Sequence, residues 1–152
     1  MGLLKDVDVN GTTDNVRYFF GDEYSRLCRL AGGGIALTSP QIDGMPRATA
    51  TGNSTEKQMI EVANYHLLVE TVVKALNACS VQSRRILIDK FIRNEKDWVV
   101  AEKVGYSKTR YYHYLKAACC EFADTLEHYT SLLGDEELIE DLHAYKQQKS
   151  EL

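Results

Sequence analysis

Asp97 to Lys116 reads DWVVAEKVGYSKTRYYHYLK. Val100, Ala101 and Val104 fall at helical spacing on one face, Gly105 stands where a helix stops, and Ser107 stands where a second can start. The pattern predicts helix, turn, helix. Ala101 is small enough for a second helix to cross close by, and Gly105 can take the positive φ that a sharp turn demands. Tyr111 and Tyr114 are expected to point back at the first helix, while Ser107, Lys108, Thr109, Arg110, Tyr112, His113 and Lys116 face outwards. A helix fits the major groove of B-form DNA, and side chains near its start reach base edges. Arg110 and Lys108 suit guanine O6 and N7, and Ser107 and Thr109 suit phosphates at the helix start.

The formal net charge of −4 argues against a nucleic-acid partner until it is divided along the chain. From Val81 to Cys120 there are nine Lys/Arg against four Asp/Glu, whereas from Glu121 to Leu152 there are two against nine. The basic stretch coincides with the motif, as a local phosphate-facing patch inside an acidic whole would. Arg84 and Arg85, just upstream, are candidates to flank DNA phosphates.

The motif is too short to fold alone, since chains below roughly 40 residues seldom bury enough surface. Its surroundings must supply a core, and the 44% apolar fraction with 26% charged residues is that of an ordinary globular chain. Asp14 is a candidate cap for an amino-terminal helix running to about Leu30, with Val16, Phe19, Phe20, Tyr24, Leu27 and Cys28 as its stripe, stopped by Gly32, Gly33 and Gly34. Residues 35–52 carry both prolines and read as a linker. Asn53 and Glu56 form a possible capping box for a long helix to about Ala78, followed after Ser80 by another to about Arg93. Asp97 is expected to cap the first motif helix, and Trp98 to anchor it in the core. The second motif helix should run past Lys116 through Phe122, Ala123, Leu126 and Tyr129. Asp135 to Lys149 reads as an acidic amphipathic helix with Leu138, Ile139, Leu142 and Tyr145 on its stripe. The fold class is therefore all-α, in four parts: an amino-terminal helical segment (1–34), the linker (35–52), a DNA-binding module (53–130) and an acidic terminal helix (131–152).

No stretch approaches the roughly 18 apolar residues of a membrane helix, and no basic region near Met1 leads into an apolar run. No membrane partner and no export are expected, and the expected setting is the cytoplasm. Cys28, Cys79, Cys119 and Cys120 lack metal-ligand spacing, and adjacent helical residues point about 100° apart, so buried free thiols are expected and no metal. His66, His113, His128 and His143 have no sequence partners that suggest a catalytic base and are expected at the surface or an interface. Neither catalysis nor a cofactor is anticipated.

VVAEKVGYSKTRYYHYLKAA (99–118) is similar to the helix-turn-helix of the fourth region of bacterial sigma factors, which reads the promoter −35 element. It resembles the ArpU family of phage transcriptional regulators more closely. That resemblance extends to SPQIDGMPRATATGN at Ser39 to Asn53, the helix opening GNSTEKQMI, the pair Tyr111–Tyr112 and the later Phe122–Ala123. It implies a phage- or prophage-encoded activator of late genes in low-GC Gram-positive bacteria, bound to double-stranded promoter or operator DNA. The implied base readers are Lys108, Thr109, Arg110, Tyr112 and His113, and contact with host RNA polymerase, a homodimer, or both remain open. Two alternatives of other classes are a DNA-packaging recognition subunit like a small terminase, and a helical protein-interaction module.

Overall fold

The computed structural model describes residues 4–32, 53–133 and 139–147, with side chains of the long helix described from Asn64 onward. The described residues are mostly helical. Six α-helices follow in order: α1 (Val9–Tyr18), α2 (Tyr24–Leu30), α3 (Asn53–Ala78), α4 (Val81–Leu87), α5 (Asp97–Val104) and α6 (Lys108–Ser131), with π-helical turns at Phe19–Glu23 and Ile88–Ile92. The linker 35–52, Gly33, Gly34 and the Asn53–Glu56 capping box lie outside the described residues or side chains.

The fold is built around α6. Its apolar residues Tyr111, Leu115, Ala118, Cys119, Phe122, Ala123 and Leu126 recur at spacings of three and four and are all buried, so one long stripe is covered by α1, α3 and α4. The π-turn between α1 and α2 inserts an extra residue per turn, which lets the adjacent Phe19 and Phe20 both reach the core. Phe20 packs at 4.9 Å from Phe122 and stacks at 5.0 Å on Phe91 of the second π-turn. This aromatic cluster joins the amino-terminal helices to the module that carries the motif.

Polar contacts fix the angles between helices. The start of α4 is capped from α6: the Ser80 amide and hydroxyl and the Ser83 hydroxyl all donate to the Glu121 carboxylate, Ser83 at 2.7 Å. A carboxylate at a helix amino terminus satisfies orphan amides and meets the positive end of the dipole. Asn94, at φ 55°, makes the turn into α5 in the left-handed region that asparagine tolerates.

Three expectations are corrected. The amino-terminal helix starts at Val9, capped by Asp8, whose carboxylate accepts from the Gly11 amide at 3.2 Å; Asp14 lies inside it. The acidic helix is absent over the described residues 139–147, which run extended beside the amino terminus. There Asp8 N–H donates to Ala144 C=O at 2.8 Å, Lys146 N–H donates to Asp6 C=O at 2.9 Å, and Val7 pairs antiparallel with Tyr145. Finally, His143 is buried, its side chain 3% exposed.

Candidate nucleic-acid interface

Helix α5 ends at Gly105, which takes φ 77°, and Tyr106 N–H closes the turn on Ala101 C=O at 3.0 Å. Ser107 then caps α6, its hydroxyl accepting from the Arg110 amide at 3.3 Å. Val100 is fully buried and Ala101 nearly so, while Val104 packs against the same core. Helix, tight turn and helix thus form where the residue spacing puts them.

Asp97 locks the pair together, though not as a cap. The cap position is Lys96, with no side-chain bond, and Asp97 instead receives the Tyr111 hydroxyl at 2.8 Å, the Tyr112 hydroxyl at 3.2 Å and Lys90 Nζ at 3.1 Å. Partial burial would raise its pKa, but the bonds from Tyr111 and Lys90, the Lys90 charge and the Tyr112 bond outweigh that and hold the carboxyl below its ordinary value. Burial and the bond to Asp97 push the Tyr111 phenol far up, so it stays a donor.

The outward face of early α6 carries exposed Lys108, Thr109, Arg110 and His113, with Lys116 half-buried below them. Among the described residues, ion pairs engage Lys90, Arg93 and Lys103, but not Lys108, Arg110 or Lys116. These cations are available to an anionic partner. Two expected placements change. Tyr112 is half-buried and its hydroxyl is committed to Asp97, because one helical step from the buried Tyr111 leaves it within reach of the same carboxylate. Trp98 is 67% exposed rather than in the core. Two residues before Val100 it sits about 200° around the helix from that buried position. With Ala101, Tyr106, Lys108 and Tyr112 it lines an open cleft between α5 and the start of α6.

Arg84 and Arg85 are not in that cleft. They line another, with Val81, Ile88, Asp89, Arg93 and Lys103. Arg84 also donates to Asn77 C=O at 3.4 Å, so Arg85 is the more exposed of the two.

A site residue that the sequence reading did not single out is Tyr106. Its ring stacks on Tyr114 at 4.7 Å and 16°, and the Arg110 guanidinium lies 5.3 Å from the Tyr106 centroid and 5.8 Å from that of Tyr114. Only the interval from Arg110 to Tyr114 is a helical one; Tyr106 precedes α6, and the turn after Gly105 brings its ring onto Tyr114.

The chain is 32% identical over 131 residues to a protein of Enterococcus hirae provisionally named autolysin regulatory protein ArpU, covering 84% of this chain and 95% of that one. This chain belongs to the ArpU family. The match spans far more than the helix pair. No family model matches, and no solved structure does. No helix of the described residues is long and apolar enough to cross a membrane.

Proposed function

We propose that this ArpU-family chain is a sequence-specific DNA-binding transcription regulator that reads the major groove with the start of α6. The observation that carries the reading is the row Lys108, Thr109, Arg110 and His113, exposed immediately after a tight turn and free of ion pairs with the described residues. Arg110 and Lys108 address base edges, Ser107 and Thr109 address phosphates from the helix start, and Lys116 and Arg85 add phosphate contacts. Tyr112 is left out of this set because its hydroxyl serves Asp97. The name of the Enterococcus hirae relative, a regulatory protein, supports the regulatory half of the reading. The finer role is a sigma-region-4-like activator of phage or prophage late genes, acting without catalysis or a cofactor.

Selection of bound sequences from random double-stranded DNA with the full chain, followed by mobility shift, tests this. Arg110→Ala and Lys108→Ala should each weaken specific binding by roughly 1 to 3 kcal/mol. Lys116→Ala should weaken all sequences alike and reduce the slope of log K against log salt by about 0.9. Unaltered binding by both reading variants would sink the assignment of α6. Assembly into a ring of many subunits in light scattering would favour a DNA-packaging subunit instead.

A further inference from the structure

An arginine that reads a base must give up the freedom of a long side chain when it binds, and one that is already held loses less. Arg110 is on the exposed face of α6 and has no carboxylate partner among the described residues, yet it is not unsupported. Its guanidinium lies within 6 Å of two aromatic centroids at once, and those rings are stacked on each other. Tyr106 comes from the turn before α6 and Tyr114 from one helical turn beyond Arg110, so the guanidinium lies beside a stacked pair whose members flank it in sequence. Both are half-buried and pack against the core cluster, and His113 meets Tyr114 edge-on at 5.6 Å. The rings are therefore anchored while the arginine they hold faces out. A guanidinium carries five N–H donors, so one held beside the two rings keeps enough of them for two parallel bonds to guanine O6 and N7.

We propose that Tyr106 and Tyr114 are positioning residues that preset Arg110 as the specificity-determining side chain for a guanine in the bound DNA. This rests on the DNA-binding reading above. It goes further by assigning base selectivity to an aromatic platform that does not touch the base.

The test uses the full chain, DNA selected by the unaltered protein, and unselected duplex of the same length. Tyr106→Leu and Tyr114→Leu keep apolar bulk and remove the rings. Each should lower the ratio of specific to non-specific affinity by about three- to fivefold, confined to the base pair that Arg110→Ala also relaxes. Affinity for unselected duplex and its salt slope should stay unchanged. Combined with Arg110→Ala, neither leucine variant should cause further loss, because the rings act through the arginine. Additive losses, or losses spread equally over all sequences, overturn the proposal and leave the DNA reading standing. Tighter specific binding by Tyr106→Leu also overturns it, since the rings would then be a parking place that the arginine must leave. Failure of the unaltered chain to select any sequence overturns both. In the free protein, the Arg110 Nε–H resonance should lie upfield of the other arginines and move back in each leucine variant; an unshifted resonance overturns the platform whatever the DNA result.

Discussion

At the scale of single residues, Asp97 carries more structure than its place at a helix start suggests. Its carboxylate gathers Tyr111, Tyr112 and Lys90, joining α5, α6 and the π-turn at Ile88–Ile92. Because its folded pKa lies below the ordinary value of about 4, its contribution is present above that value and is lost as pH falls through the folded pKa. Asp97→Asn should therefore lower stability near neutral pH by about 1 to 2 kcal/mol and flatten the acid limb of a plot of unfolding free energy against pH. Denaturant melts across pH values check both; an unchanged acid limb would show that the carboxylate is not the link. Trp98 makes the opposite case. Being 67% exposed, it should tolerate Trp98→Ala within about 0.5 kcal/mol, whereas a core tryptophan would cost about 3 to 5 kcal/mol. It is the sole tryptophan, so its emission reports directly on the cleft between α5 and α6. Its type suggested a core anchor, but the phase of α5 relative to Val100 decides its direction, and that phase depends on which face α6 covers.

Among the elements, the turn between α5 and α6 is fixed by two local devices that residue type alone reveals. Gly105 sits at φ 77°, and a Cβ there would meet nothing within 4 Å, so only backbone strain opposes a side chain. Gly105→Ala should cost about 1 to 2 kcal/mol, the penalty of the left-handed region for an L-residue. Ser107→Ala should cost about 1 kcal/mol by leaving the Arg110 amide without its cap. Thermal melts of both variants check these values, and a neutral Gly105→Ala would mean that the turn relaxes to another geometry. The carboxyl ends of α3 and α5 and the start of α6 were legible for the same reason, each marked by a glycine or serine next to an apolar run, whereas the helix expected to run from Val81 to about Arg93 gives way after Leu87 to the π-turn at Ile88–Ile92. The π-turn at Phe19–Glu23 was not legible, because its one-residue slip shows only when Phe19 and Phe20 must both meet Phe122.

For the molecule as a whole, the segment 139–147 closes the bundle by pairing with the amino terminus and docking on α6. His143 is its buried fastening. Nε2 meets Asp124 at 2.6 Å, Nδ1 meets Asp141 at 2.5 Å and Glu127 at 3.3 Å, and the ring stacks on Tyr145 at 5.7 Å. Ionised carboxylates only accept, so this arrangement favours the cationic imidazole, in which both ring nitrogens donate. Burial opposes that charge, but the bonds and attraction from Asp124 and Asp141 prevail and raise the pKa. The sign follows: stability from His143 is fully present below the ordinary value of about 6.5 and is lost as pH rises through the raised folded value. Amide exchange should show protection of Asp8, Ala144 and Lys146 weakening as pH climbs through that window, after correction for intrinsic exchange. His143→Ala should remove this dependence at a cost of about 1 to 2 kcal/mol, kept small because Asp124, Glu127 and Asp141 are largely solvated. Pairing that weakens equally in the alanine variant would place the switch elsewhere.

The sequence by itself determined the all-helical class, the helix–turn–helix spacing at Asp97 to Lys116, the outward cations Lys108 and Arg110, and the burial of Tyr111. These depend on periodicity, glycine φ and serine capping, which act within a few residues of chain. Only the tertiary structure decided that Trp98 faces solvent, that Tyr112 serves Asp97, that Tyr106 joins Tyr114 beneath Arg110, and that the acidic tail runs extended around His143. Each of those outcomes turns on which surface another element covers, and a helical stripe with two flanks or an acidic stretch with a free edge is compatible with either result until the neighbour is in place.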